Sequence, residues 1–186
     1  MNFKNWDIKK EIGAGGWSLF LDRDGVINRR LVDDYVKSWE EFEFLPGVLE
    51  AIALFARKFQ HIFVVTNQQG IGKGLMGEED LQEIHRRMLD EIQKAGGRID
   101  RIYHCPSLAA DQSPRRKPNP GMALQAGEEF PEVDFSKSIM AGDSVSDMEF
   151  GRNAGMHCVF IGSPDDYPEA DAYFDSLAAF AGFLAG

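Results

Sequence analysis

Three features of the chain predict an α/β fold with a mostly parallel sheet covered by helices on both faces. Its short apolar runs are continuous rather than alternating, as suits strands buried on both sides. They alternate with segments whose apolar residues recur at i, i+3, i+4 and i+7, the stripe of an amphipathic helix. Most of the runs stop at a polar or glycine break, and in parallel sheets ligands bind at such carboxyl ends of strands.

Taken in order, Ser18-Leu19-Phe20-Leu21 is the first strand and ends at Asp22. Pro46 opens the first helix, with Leu49, Ile52, Ala53 and Ala56 on its stripe and proline in its first turn. The β-branched run Ile62-Phe63-Val64-Val65 is the second strand and ends at Thr66-Asn67. Leu81, Ile84, His85, Met88 and Ile92 mark a second helix, and the acids of Gly77-Glu78-Glu79-Asp80 suit its positive start. Ile99 to Tyr103, Ser138 to Ala141 and Cys158 to Ile161 repeat the strand style, and Ala172-Tyr173-Phe174 is a weaker last strand. Shorter helices follow Pro120 and Ser146, the second running toward Gly155.

With 186 residues, 44% hydrophobic and 27% charged, the chain fits one globular domain over 18–186, preceded by an N-terminal extension over 1–17. Gly13-Ala14-Gly15-Gly16 lacks the lysine and the following helix of a P-loop and is expected to be a flexible lead-in. Lys9-Lys10 and Trp6 are left to pack on the domain or on a partner. Twenty Lys+Arg against 30 Asp+Glu give a net charge of −10, which argues against a grip on nucleic acid or anionic membrane. A phosphate site then needs local cations or a metal. No apolar run approaches the roughly 20 residues that span a bilayer, and the N-terminus has no apolar signal core, so a cytoplasmic protein is expected. Cys105 and Cys158 are too few for a disulfide framework and are expected to be reduced.

The strand ends carry Asp22-Arg23-Asp24-Gly25, Thr66-Asn67-Gln68-Gln69-Gly70 and Gly142-Asp143-Ser144-Val145-Ser146-Asp147, while Arg115-Arg116-Lys117-Pro118-Asn119-Pro120 precedes a helix. Asp22 and Asp24 straddle one residue, so an extended backbone points both the same way and repulsion raises one pKa. A divalent cation relieves that conflict. Magnesium takes one or two carboxylates plus waters and phosphate oxygens, a role that suits Asp22 with the distant Asp143. Asp24 is then free to give a proton to a leaving group and to take one from water. A carboxylate nucleophile suits phosphoryl transfer, because the aspartyl-phosphate it forms is hydrolysed in a second, easier step. Thr66 offers a hydroxyl, and Lys117 a point charge, to the transferring oxygens.

Asp22-Arg23-Asp24-Gly25-Val26-Ile27-Asn28, Thr66-Asn67-Gln68, Lys117, and Gly142-Asp143 with Asp147 resemble the four motifs of the haloacid dehalogenase (HAD) superfamily of phosphatases. The likeness covers nearly the whole chain from Leu19 onward. Asp22 to Asn28, Val64-Val65-Thr66-Asn67-Gln68 and Arg116-Lys117-Pro118-Asn119-Pro120-Gly121-Met122 resemble, more narrowly, the D-glycero-D-manno-heptose 1,7-bisphosphate phosphatases and the similar histidinol-phosphate phosphatases. The resemblance implies a Rossmann-like three-layer α/β/α sandwich without a large cap domain, dependence on Mg2+ and a covalent aspartyl-phosphate. It makes Asp22 the nucleophile, Asp24 the general acid/base, and Asp22, Asp143 and the main-chain carbonyl of Asp24 the Mg2+ ligands. It gives Thr66 and Asn67 the phosphoryl group, Lys117 its charge, and Arg116 and Asn28 the rest of the substrate. Ser144 and Asp147 become supporting or lysine-orienting residues.

The chain departs from that family at two loops. Many members carry a zinc loop with a Cys-x-His element and a Cys-x-Cys pair before Arg-Lys-Pro; here only Cys105 of Cys105-Pro106-Ser107 survives, and Ser113 and Arg115 stand at the pair. Zinc is therefore not expected, His104 is expected to be packed or exposed, and a trimmed loop stiffened by Pro106 and Pro114 is expected. The stretch from Arg29 to Val36 is longer than the family's, with Asp34 in place of glycine. Arg29 and Arg30 either meet a second phosphate or are solvated. Gly70-Ile71-Gly72-Lys73-Gly74 is either a mobile flap bringing Lys73 to the substrate or an ordinary turn. His85 is expected to be a satisfied core or boundary histidine. Trp17, Trp39, Phe42 and Phe44 are expected to pack, with Trp39 alone placed to touch a sugar.

The expected protein is a Mg2+-dependent phosphatase that takes the 7-phosphate from D-glycero-D-manno-heptose 1,7-bisphosphate, acts as a monomer and has a small phosphorylated sugar as its partner. Histidinol-phosphate phosphatase is the second enzyme reading. A non-catalytic phosphate-binding pseudo-enzyme is the third, and it predicts loss of Asp22, Asp24, Lys117 or Asp143, all of which are present.

Overall fold

The computed structural model describes residues 7–167 and 169–186, so Trp6 lies outside the described residues. The described residues form six strands: β1 (Ser18–Leu21), β2 (His61–Asn67), β3 (Arg101–Cys105), β4 (Ser138–Gly142), β5 (His157–Ile161) and β6 (Ala172–Phe174). They make one wholly parallel sheet in the order β3-β2-β1-β4-β5-β6. The helices are α1 (Ile8–Gly13), α2 (Val48–Lys58), α3 (Gln69–Gly72), α4 (Glu78–Lys94), α5 (Gly121–Glu129), α6 (Val145–Ala154) and α7 (Leu177–Ala185). None of the described helices is long and apolar enough to cross a membrane.

Because successive side chains of a strand point to opposite faces, each central strand feeds two cores. Leu19, Leu21, Ile62, Val64 and Ile139 join the core shared with α1, α2, α4 and α7. Phe20, Phe63, Val65 and Met140 join the other, with Met122 and Ala126 of α5 and Met148 and Phe150 of α6. The result is the three-layer α/β/α sandwich that the continuous apolar runs predict. Between β1 and α2 the chain forms only loops, isolated bridges and a 3-10 turn at Trp39–Glu41, so no separate cap covers the sheet.

Several elements differ in detail from expectation. Gly47, at φ 72°, is the N-cap of α2, so Pro46 precedes the helix rather than sitting in its first turn. β3 starts two residues later than the apolar pattern suggests, because Asp100 closes the turn by accepting from the Ile62 N–H at 2.8 Å. Ahead of the Gly13–Gly16 cluster, α1 buries Ile8 and Ile12 in the first core, which Trp17 also joins. The C-terminal helix α7 is capped by Ser176 and buries Leu177, Phe180, Ala181 and Leu184.

Candidate active site

In this strand order the chain direction across the sheet reverses between β1 and β4, and a crevice opens beyond their carboxyl ends. The cleft there has a volume of about 430 Å3 and is lined by Asp22, Asp24, Thr66, Lys117, Asp143 and Asp147, among others. Register explains the meeting of such distant residues. Leu21 pairs with Ala141 and with Val64. Asp22 follows with its N–H on the Ala141 carbonyl at 3.0 Å, so β1 and β4 end nearly level, while β2 runs on to Asn67 and carries Thr66 beside them.

Lys117 is the central cation. Its ammonium, only 4% exposed, donates to Asp22 Oδ1 at 2.7 Å and to the Val65 carbonyl at 2.8 Å, and lies 2.6 Å from Asp147 Oδ1. Those three contacts match its three protons. Burial alone lowers the pKa of this lysine, but Asp147 and Asp22 outweigh it and hold the ammonium charged. Asp147 is fixed in turn by Ser144, whose N–H and hydroxyl donate to its Oδ2 at 3.1 and 2.7 Å in the capping box of α6. Asn67 grips the lysine's backbone, donating to the Lys117 carbonyl at 3.1 Å and accepting from the Lys117 N–H at 3.0 Å. Its side-chain amide is thus committed to holding Lys117.

Asp24 is held by three donors. Arg23 Nη2 reaches its two oxygens at 2.9 and 3.0 Å, Asn28 Nδ2 donates to Oδ1 at 2.9 Å, and Gln68 Nε2 donates to Oδ2 at 2.8 Å. The same Gln68 nitrogen donates to Thr66 Oγ1 at 2.8 Å, tying the motif on β2 to the one after β1. Burial pushes the Asp24 pKa up, but Arg23, Asn28 and Gln68 together hold it below the usual carboxylate value. Asn28 does not line the cleft, contrary to its expected contact with substrate. It is fully buried, and its amide is spent on Asp24 and the Arg29 carbonyl. Motif reasoning leaves Arg23, Gln68 and His85 without a role, yet Arg23 and Gln68 hold Asp24 and His85 lies 3.2 Å from Arg23.

Asp22, Asp143 and Asp147 each offer an oxygen within 4.8 Å of the others. Burial and Asp147 push the Asp22 pKa up to about 8 against the pull of Lys117, and burial and Asp147 push Asp143 up to about 6. The pocket thus holds more negative charge than its own cations settle, and Asp143 Oδ1 is buried with no hydrogen-bond partner. Both facts fit a magnesium ion, which takes few carboxylates and leaves room for phosphate oxygens. Asp147 is engaged by Lys117 and Ser144, and both Asp24 oxygens are engaged, so Asp22 and Asp143 are the carboxylates left to ligate, with the Asp24 main-chain carbonyl as the resemblance implies.

Gly25, at φ +98°, is required by this packing. A Cβ there would stand 2.0 Å from Asp143 Oδ2 and 2.7 Å from its Cγ. Gly25→Ala is expected to swing Asp143 out of the cluster and to lower Mg2+ affinity and turnover about 10–100-fold, as for other supports of metal ligands. Titrating phosphate release against Mg2+ checks this.

The loops form the outer wall. Arg30 lines the cleft with Nη1 3.6 Å from Asp143 Oδ2, whereas Arg29 turns away to Glu43 at 3.0 Å. Tyr35 Oη accepts from Gln69 Nε2 at 2.7 Å and from Lys73 Nζ at 3.0 Å, so the loop after β1 rests on the glycine-rich turn containing α3. Trp39 is not among the lining residues; it stacks on Phe42 at 5.0 Å and meets Phe44 edge-on. The shortened loop before Lys117 is tied by polar contacts. Arg116 Nη1 donates to the Ser107 carbonyl at 3.0 Å, Asn119 Nδ2 to the Ser113 carbonyl at 2.9 Å, and Arg115 Nη2 to the His104 carbonyl at 3.3 Å.

Comparison with known proteins agrees with this geometry. Residues 114–179 match a family model described as HAD-hydrolase-like. The chain is 44% identical over 170 residues to a D-glycero-alpha-D-manno-heptose-1,7-bisphosphate 7-phosphatase of Mycobacterium bovis, covering 89% of this chain and 90% of that one. It is 40% identical over 144 residues to a D-glycero-beta-D-manno-heptose-1,7-bisphosphate 7-phosphatase of Rhodopseudomonas palustris, covering 74% and 78%. Among solved structures, a D,D-heptose 1,7-bisphosphate phosphatase from B. bronchiseptica, complexed with magnesium and phosphate, superposes with a TM-score of 0.83 at 32% identity, covering 91% of this chain and 98% of that one.

Proposed function

Because the chain belongs to the haloacid-dehalogenase-like hydrolases and is a phosphoric monoester hydrolase, we propose that it removes the 7-phosphate of D-glycero-D-manno-heptose 1,7-bisphosphate through a phosphoryl-enzyme on Asp22. The observation that carries the reading is Asp22 lining the switch-point cleft, one oxygen held by Lys117 at 2.7 Å and Asp143 within ligating distance of the same cluster. Mg2+ bound by Asp22, Asp143 and the Asp24 carbonyl supplies charge neutralisation for the phosphoryl oxygens.

Lys117 fixes the Asp22 carboxylate and meets the charge of the transferring group. Asp22 attacks phosphorus; the Asp22 O–P bond forms as the ester P–O bond breaks, and the departing sugar oxygen takes a proton from Asp24. A water then attacks phosphorus, passes its proton to Asp24, and Asp22 leaves as a carboxylate. Asp24 must carry the proton at the first step, although its donors favour the ion in the free protein. A phosphoryl dianion arriving beside it raises its proton affinity, so loading and substrate binding go together. Thr66 and the turn around it complete the phosphoryl pocket.

Arg30, Lys73 and Arg116 along the cleft support a substrate with a second phosphate rather than a cationic alcohol. Phosphate release from both anomers of the heptose bisphosphate and from histidinol phosphate, compared by kcat/KM, tests this. The expected result is a heptose preference of several orders of magnitude; an equal or reversed preference overturns it. Arg116→Ala is expected to lower kcat/KM on the bisphosphate by about tenfold or more while sparing the matching 7-monophosphate. Equal loss on both would remove Arg116 from recognition of the distal phosphate.

A further inference from the structure

Arg23 is completely buried, although arginine is rarely so unless paired. Its Nε has no hydrogen-bond partner, and its guanidinium has two side-chain anchors: Asp24, gripped by Nη2, and His85, whose Nε2 lies 3.2 Å from Nη1. Arginine has only donors, so the imidazole must accept at Nε2, which makes it neutral with its proton on Nδ1. His85 sits on the buried stripe of α4 between Ile84 and Met88, the one polar side chain among that helix's buried residues. The surroundings suit the neutral form. Burial, then the charge of Arg23 and then His104 push its pKa down to about 3, against the weaker opposite pull of Asp24. His104 faces it edge-on with ring centroids 6.2 Å apart and is itself paired with Glu78 at 2.9 Å.

We propose that His85 is a positioning residue for the reaction: by accepting from Arg23 Nη1 it fixes the guanidinium so that Nη2 spans both oxygens of Asp24 and sets the direction in which Asp24 presents its proton. Without the acceptor on α4, one side of the guanidinium is unanchored and the carboxyl it holds can turn with it. Asn28 and Gln68 each hold one Asp24 oxygen, whereas Arg23 spans the pair, so the orientation of Asp24 depends most on Arg23. This inference rests on the reading of Asp24 as proton donor to the leaving oxygen.

The test compares a leaving group that needs a proton with one that does not. First-turnover release of the leaving group is followed for the heptose bisphosphate and for 4-nitrophenyl phosphate in His85→Leu, His85→Gln and Asp24→Asn. His85→Leu removes the acceptor at similar volume, and His85→Gln restores an oxygen acceptor. For His85→Leu, release from the sugar phosphate is expected to fall by about 10–100-fold, a share of what general acid catalysis supplies, with KM little changed and the aryl ester near the parent rate. His85→Gln is expected to recover most of the loss. Equal losses on the two esters, no loss on either, or a glutamine variant as poor as the leucine one would overturn the proposal. Circular dichroism and thermal melting establish folding; if His85→Leu does not fold, His85→Asn, whose shorter amide stops short of Arg23, is judged by the same criteria. Asp24→Asn separates the two levels. If it loses both esters equally, the reading of Asp24 fails; if it is selective and His85→Leu is not, only the role of His85 fails.

Discussion

Asp22→Asn is expected to abolish phosphate release, by about four orders of magnitude or more, while leaving the protein at least as stable as the parent. The amide keeps the shape of the carboxylate and can still accept from Lys117 through its oxygen, but it is a poor nucleophile toward phosphorus. The stability expectation follows from charge. Asp22 is buried beside Asp143 and Asp147, and burial together with Asp147 pushes its pKa up to about 8, so the folded state pays for holding it ionised. A neutral group at that position relieves the repulsion, as is common where a site is built for chemistry rather than stability. Phosphate assays and melting in the absence of Mg2+ check both halves. An active variant would remove Asp22 from the covalent step, and a variant that melts much lower would show that its charge is needed by the fold.

Lys117→Met is expected to damage both activity and stability. The ammonium is the shared partner of Asp22 and Asp147 at 2.7 and 2.6 Å, and Asp147 is fully buried. Removing one partner of a buried ion pair leaves charge without compensation, at a cost of about 3–5 kcal/mol. Proton uptake by the carboxylates recovers part of this. Loss of a cation aimed at the transferring oxygens is expected to lower kcat by about 100–1,000-fold. Denaturant unfolding and kcat at saturating Mg2+ measure the two effects. The contrast with Asp22→Asn is informative, because one substitution removes an excess charge and the other removes the charge that balances it.

How far the chain can be read without coordinates depends on whether the signal is local. The strands, α2 and α4 are legible because hydrophobic period is a local property; Asp22 and Asp143 are legible because they follow strands directly, and Thr66 because it stands where the apolar run of β2 turns polar. Lys117 lies on a loop and is identified by its motif neighbours rather than by any period. Asn28 shows the limit of motif reasoning, since its place in the motif does not reveal that its amide faces Asp24 from the buried side. His85 is legible as a boundary histidine, but its partner Arg23 is 62 positions away, so their meeting is a product of tertiary packing. The helix α7 carried a usable signal in Ser176 followed by Leu177, Phe180, Ala181 and Leu184. Helix α1 carried only Ile8 and Ile12 in a short polar stretch, and what makes it a helix is the core it covers.

The most direct test of the account is to trap the covalent species. Enzyme mixed with heptose bisphosphate and Mg2+, quenched in acid during the first turnover, digested and examined by mass spectrometry, is expected to carry a phosphoryl group on the peptide at Asp22, and none in Asp22→Asn. Phosphate release without any such adduct, or an adduct on Asp24 instead, would contradict the assignment of Asp22 as the residue that receives the phosphoryl group.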